Sequence, residues 1–331
     1  MQMRMRFRMW AIPLFSIVAT FAAPFGATLA SAQTYPSQPV RLVVPFAPGG
    51  ATDILARTIG TRLGERLGQS VVVENRPGAG TTIGNAAVAQ ALPDGHTLLF
   101  APTPFVISQV MYSKLPYDAD KAFTPVTLLA VSPFILVANP GVDARNVAEL
   151  VALAKARAGT FTFASAGNGT VPHLAGEMFK LRTGIDMQHI PYKGGGPAIT
   201  ELVGGQTELM FATPIEVSAQ VQAGRLKVLA TTAPRRLQSM PDVQTIQEAG
   251  YPGFEVFAWF GVLAPAGTPK AIVDRLAGEF ARVVEQPDVK EKLAGQSATV
   301  MLKPGEEFTA FIAAEKLKWG GVVKASGAKI D

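Results

Sequence analysis

Short apolar runs alternate with segments of helical period along this chain. Val40 to Phe46 is a strand-like run that stops at Ala47-Pro48-Gly49-Gly50, and an amphipathic pattern opens at Thr52-Asp53. Ile54, Leu55, Ile59, Leu63 and Leu67 recur at three and four residues, predicting one buried helix face that ends near Gly68. Further strands are predicted over Ser70–Glu74, His96–Ala101, Thr160–Ser165, Met187–Tyr192, Glu208–Ala212 and Leu226–Thr231. Helices are predicted over Asn85–Ala91 and Val147–Ala156, from Val171 through Leu181, over Ala198–Val203 and through Val217 and Val221. Apolar runs from Phe123 to Val137 break at Ser132-Pro133, and Pro241 to Gly250 reads as a short helix and turn. An aromatic-rich strand region, Phe254 to Leu263, precedes a long helix ending at Val284. Pro304-Gly305 opens a last helix with Phe308, Phe311, Ile312 and Leu317 as its apolar face.

This alternation predicts an α/β chain with largely parallel sheet and helices on both faces. Residues 1–32 stand outside it: Arg4, Arg6 and Arg8 precede the apolar run Met9 to Ala23, and Ala30-Ser31-Ala32 fits a signal-peptidase site. Pro13 and Pro24 break that run, which argues against a membrane anchor, and the mature chain is expected to begin at Gln33 in the periplasm. The remaining ~300 residues exceed a usual single domain. Two domains sharing a cleft are expected, with residues 33–130 and 255–331 forming one and 131–254 the other.

Charge and composition narrow the chemistry. The whole chain carries +5, and removing the three leader arginines leaves 27 basic against 25 acidic residues, or +2. No basic run with interleaved aromatics suggests nucleic acid. The chain has no cysteine, which excludes disulfides and thiolate chemistry. No cofactor or metal motif is found. Gly78, Gly80 and Gly84 approximate a dinucleotide fingerprint with the spacing wrong by one residue, and a turn packing a helix on the sheet is the better account.

The first glycine turn, Phe46 to Asp53, has two readings. It is a tight turn capped by Thr52 or Asp53, or an anion seat, since a helix N-terminus has about four N–H groups without intrahelical partners and a positive dipole end. The same grammar recurs at Ser165-Ala166-Gly167-Asn168-Gly169-Thr170, and the pair favours the anion seat, two helix ends clamping one carboxylate. His173 either donates to a ligand or satisfies a local backbone group. Thr103, past the strand ending at Ala101, lies where ligands of open α/β sheets bind. Trp259 and Phe260 are either core or cleft wall.

The ordered motifs Pro45 to Asp53, Glu74 to Gly80, Leu92 to Thr97, Ser165 to Thr170 with His173-Leu174, Pro191 to Gly194 and Leu263 to Pro269 resemble the Bug-type periplasmic solute receptors of tripartite tricarboxylate transporters. The resemblance spans the mature chain. It implies a type II periplasmic-binding-protein fold, two doubly wound α/β domains joined by two crossings and closing on a small organic carboxylate. It implies that the carboxylate is held mainly by backbone groups and water, in the loops of Phe46, Ala47, Pro48, Gly49, Gly50, Ala51, Thr52 and Asp53 and of Ser165 to Thr170; the hydroxyls of Thr52, Ser165 and Thr170 are expected as secondary donors. Tyr192, Thr213, Trp259 and Phe260 are then expected to set the pocket's size and polarity. Many relatives carry Asp or Asn where this chain has Ala212-Thr213, which argues against an ammonium-bearing ligand and for an uncharged or aromatic distal group. The expected partner is a membrane permease or a sensor protein, and the receptor is expected to be monomeric. An exported hydrolase using Ser165, His173 and Glu177 is the rival reading, but no G-x-S-x-G elbow or H-E-x-x-H set is present.

Overall fold

The computed structural model describes Gln2 and residues 35–295 and 297–328. Apart from Gln2, the leader read over residues 1–32 lies outside the described residues. From Val40 onward, strands and helices alternate around two mixed sheets.

The first sheet holds β1 (Val40–Val44), β2 (Val71–Asn75), β3 (Thr97–Pro102), β4 (Phe123–Pro133), β10 (Phe257–Pro265) and β11 (Thr299–Pro304), in the order β11-β4-β10-β3-β1-β2. The second holds β5 (Ile135–Ala138), β6 (Phe161–Ser165), β7 (Met187–Pro191), β8 (Leu209–Ala212) and β9 (Lys227–Thr231), in the order β7-β6-β8-β5-β9. The helices are α1 (Ala51–Leu67), α2 (Thr82–Ala89), α3 (Pro104–Met111), α4 (Val147–Ala156), α5 (Val171–Thr183), α6 (Gly195–Val203), α7 (Pro214–Gln222), α8 (Lys270–Val284), α9 (Pro287–Gly295) and α10 (Gly305–Ser326).

The largely parallel expectation holds for β1 to β4 and for β6 to β9, with exceptions in both sheets: β10 and β11 run antiparallel to β4, and β5 runs antiparallel to β8 and β9. The reason is the crossing. The chain leaves β4 at Pro133 and enters β5 at Ile135, so β5 starts where its neighbours end; Ile135 pairs with Ala212 and Thr231, the last residues of β8 and β9. Strands β1 to β4 share one direction, as do β6, β7, β8 and β9. The carboxyl ends of both sets therefore lie on the side of the crossing, the location open α/β sheets use for ligands.

A hydrogen-bond knot joins the outgoing and returning segments. The fully buried Thr232 hydroxyl donates to Val256 O at 2.6 Å and accepts from Phe134 N–H at 3.0 Å, while Thr232 N–H donates to Phe134 O at 2.9 Å.

Helix α1 buries Leu55, Ile59, Leu63 and Leu67 and stops at Gly68, whose left-handed φ of 69° lets its N–H reach Gly64 O. Ile54, expected on that face, is exposed, because the buried stripe runs at four-residue steps from Leu55. Leu317 is likewise corrected. It is 78% exposed, opposite the stripe of Phe308, Glu315, Trp319 and Val322 that packs α10 down. Residues 241–250 form turns and one bridge, Thr231 to Thr245, rather than a short helix. No helix among the described residues is long and apolar enough to cross a membrane.

Candidate functional site

Two turns at the carboxyl ends of β1 and β6 share one construction. In the first, Gly49 adopts φ 90°, a left-handed value that favours glycine, and Gly50 takes the extended N-cap conformation at φ −81°, ψ 168°. Gly49 N–H donates to Asp53 Oδ2 at 2.9 Å, four residues on. In the second, Gly169 adopts φ 74° and Thr170 is the N-cap at φ −80°, ψ 158°. Gly169 N–H donates to His173 Nδ1 at 3.1 Å, again four residues on.

The first acceptor is an ion. Asp53 is buried, and its carboxylate also takes Arg57 Nε at 3.0 Å and Asn75 Nδ2 at 2.8 Å. Burial opposes the charge, yet the hydrogen bonds from Arg57, Gly49 N–H and Asn75 outweigh it and hold the carboxyl below its usual range. Asn75 ties the far side of the turn by donating to Phe46 O at 3.0 Å. Ala47, Pro48, Gly49, Gly50 and Ala51 are exposed, and a Cβ at Gly49 or Gly50 would meet nothing within 4 Å. The first helical hydrogen bond is Ile54 N–H to Gly50 O, so the N–H groups of Gly50, Ala51, Thr52 and Asp53 have no acceptor among the described residues.

The second turn is more engaged internally. Ser165 Oγ, wholly buried, accepts from Gly167 N–H at 3.1 Å and lies 2.7 Å from His189 Nε2. Thr170 Oγ1 donates to Gly167 O at 2.7 Å. The hydroxyls of Ser165 and Thr170 thus already have partners within the turn. The N–H groups of Ala166 and Asn168 have no acceptor among the described residues, and Asn168 is exposed.

His189, which the sequence reading did not single out, stacks on His173 at 4.0 Å and 13° and on Phe163 at 4.9 Å and 28°. Burial, then Lys180, lowers His173 to about 4; burial, then His173 and Lys180, lowers His189 to about 3. Both rings are neutral at physiological pH. The Ser165 hydroxyl is wholly buried, and among the described residues no acid hydrogen-bonds His189, so the group makes a poor nucleophile site.

The other candidates divide. Thr103 is buried and its hydroxyl is occupied, accepting Trp259 N–H at 2.8 Å and donating to Phe257 O at 3.3 Å, so it pins β3 to β10. Trp259 is fully buried with its ring edge-on to Phe308 and Phe311; Phe260 stacks on Phe100 in a second cluster. β10 lies mid-sheet, and both aromatics belong to the core. Tyr192 is half-buried against the cluster that includes Ala198 and Leu202, its phenol pushed up by burial and then by Glu201, and its N–H donates to Ser165 O at 3.0 Å. Thr213 donates its hydroxyl to Glu216 Oε2 at 2.7 Å and opens α7. A separate cavity of about 520 Å³, lined by Pro133, Pro214, Arg235, Phe257 and Met301, lies at the β11 edge, away from β1 and β2.

Residues 55–328 match the family model described as "Tripartite tricarboxylate transporter family receptor". Periplasmic binding protein BugD is 35% identical, with 89% of this chain and 99% of that one covered at a TM-score of 0.75. R. palustris Rpa4515 with adipate is 33% identical over 89% and 99% at 0.76. MatC from Rhodopseudomonas palustris with bound malate is 34% identical over 87% and 100% at 0.73. These extents and the two-sheet α/β architecture establish a solute receptor rather than an enzyme: the chain belongs to the receptor family of the tripartite tricarboxylate transporters and has the periplasmic-binding-protein fold.

Proposed function

We propose that this receptor works outside the cytoplasm, captures a small organic carboxylate between the α1 and α5 turns, and hands it to a membrane permease. The observation that carries the reading is the matched pair of turns, each with a left-handed glycine locked four residues on. The first leaves four N–H groups at a helix N-terminus without acceptors. Such groups complement a carboxylate through hydrogen bonds and the helix dipole together. Relatives with bound malate and adipate support a carboxylate as the ligand class.

The halves that move are the first sheet with its helices, residues 35–133 and 257–328, and the second sheet with its helices, residues 135–255, hinged at the knot around Phe134, Thr232 and Val256. Binding to both turns at once favours the closed arrangement, and a permease would read that closed surface. Asp53 acts beneath the seat, where Arg57 balances its charge. No bond is made or broken.

A thermal-shift screen of the chain from Gln33 onward against mono-, di- and tricarboxylates, amino acids, aromatic acids and neutral analogues tests this. A ligand at a hundred times its Kd adds about 2.7 kcal/mol of stability. A shift confined to carboxylates supports the reading; shifts from neutral compounds alone contradict it.

A further inference from the structure

The two turns are locked by chemically different acceptors. At α1 the acceptor is the carboxylate of Asp53, matched by Arg57, whose Nη2 lies 3.0 Å from Asp53 Oδ1. At α5 it is an imidazole. Gly169 N–H can only donate, so the 3.1 Å contact requires a lone pair on His173 Nδ1 and places the ring proton on Nε2. An imidazolium has no such lone pair. His189 stacks face to face on that ring at 4.0 Å and meets Ser165 Oγ, which in turn receives Gly167 N–H. Through these two rings, two of the four N–H groups between Gly167 and Thr170 are fixed in direction.

We infer that His173 and His189 are positioning residues of the second half-site, neutral acceptor and neutral brace, which preset the turn while keeping it free of charge. This inference rests on the carboxylate reading of the two turns. It adds a rule of charge: neither Phe46 to Asp53 nor Ser165 to Thr170 contains Lys or Arg, and Asp53 is matched by Arg57. Within themselves the turns offer an anion N–H dipoles and no cation. A carboxylate at position 173 would accept the same hydrogen bond but add an unmatched negative charge under the ligand. Lys180 is engaged by Glu177 at 3.2 Å on the same helix, and Lys193, which follows β7 beside the second turn, is exposed. Burial of both rings, with Lys180 adding to it, keeps them unprotonated at neutral pH.

Three variants separate acceptor from charge: His173→Asn, with a neutral acceptor near the Nδ1 position; His173→Asp, the same shape with charge; and His173→Ala, with neither. Calorimetric titration with malate and adipate at pH 7.5 is the readout, beside each melting point. The expected result is Asn within about threefold of the parent Kd, and Asp and Ala each at least tenfold weaker, with Asp melting near Asn. His189→Gln, which keeps a polar group near the Nε2 position, is expected to bind better than His189→Phe, which keeps only the stack. Asp binding as well as Asn, or Asn as poorly as Ala, overturns the inference.

If neither diacid binds the parent protein, the carboxylate that shifts its melting point most takes their place, and a ligand-free measurement decides the same point; only the absence of any carboxylate binding counts against the carboxylate reading instead. Imidazole ¹⁵N spectra of the free protein are expected to show His173 as the neutral Nε2–H tautomer from pH 7.5 down to about pH 5. A protonated ring or an Nδ1–H tautomer in that range overturns the inference.

Discussion

Replacing Gly50 by Asp separates the stability of α1 from its use as an anion seat. Gly50 is the N-cap, extended at φ −81° and ψ 168°, with no side-chain cap and open space where a Cβ would go. Aspartate is among the best N-cap residues and exceeds glycine by a few tenths of a kcal/mol, so the melting point should hold or rise. The ligand meets the opposite effect. Two unit charges ~5 Å apart repel by about 3 kcal/mol at an effective dielectric near 20 and by about 0.8 kcal/mol in bulk water. The turn is exposed when open and shielded when closed, so affinity should fall by between about fourfold and about 200-fold. Gly50→Asn supplies the same cap without charge and should stay within about twofold of the parent protein. Calorimetry with a bound carboxylate in low and high salt is the assay, and salt should narrow the gap between Asp and Asn. Unchanged or tighter binding by Gly50→Asp would refute the helix-end argument, because a stabilised helix with a negative N-cap cannot also be the seat of an anion.

Three further outcomes are expected. Thr232→Val removes the hydroxyl that links Phe134 and Val256, and chemical denaturation should show a loss of about 1–3 kcal/mol. Gly176→Ala puts a Cβ 2.1 Å from the Phe163 ring on which His189 stacks; it should cost about 1–3 kcal/mol and weaken carboxylate binding, as read by denaturation and calorimetry. Stability should depend on acid through the histidine pair. Unfolded, each binds a proton below pH ~6.5; folded, His173 is held to about 4 and His189 to about 3. The unfolded chain therefore binds more protons between those limits, so stability is full above pH ~6.5 and falls as pH drops, by up to about 1.4 kcal/mol per unit and histidine. Urea midpoints from pH 7 to 4 check this, and His173→Asn should flatten the slope.

Local periodicity made much of this fold legible. Helix α4 and the glycine stop of α1 follow from spacing and capping residues alone. β11 escaped because Thr299–Pro304 is a half-buried edge strand with no clean alternation, and the reversed direction of β5 depends on a pairing register no local pattern carries. At the site, both turns were visible as strand, glycines and helix start. The Asp53 and His173 locks are local, spanning four residues, and the sequence reading weighed a capping role for Asp53 and a backbone-satisfying role for His173. His189 was invisible because it reaches Ser165 only through β6–β7 pairing, and Asn75 reaches Asp53 only through β1–β2 pairing. Trp259 and Phe260 read equally as core or wall; the central place of β10 buries both.

The most direct measurement is an amide ¹H–¹⁵N spectrum of the protein from Gln33 onward, titrated with the carboxylate that stabilises it most in the thermal screen. The largest perturbations are expected at Gly50, Ala51, Thr52 and Asp53 and at Ala166, Asn168, Val171 and His173, the N–H groups left without acceptors among the described residues by the two turns and the helix starts they open. Perturbations clustered instead around Arg235, Phe257 and Met301, at the β11-edge cavity, would contradict the claim that the paired helix ends hold the ligand.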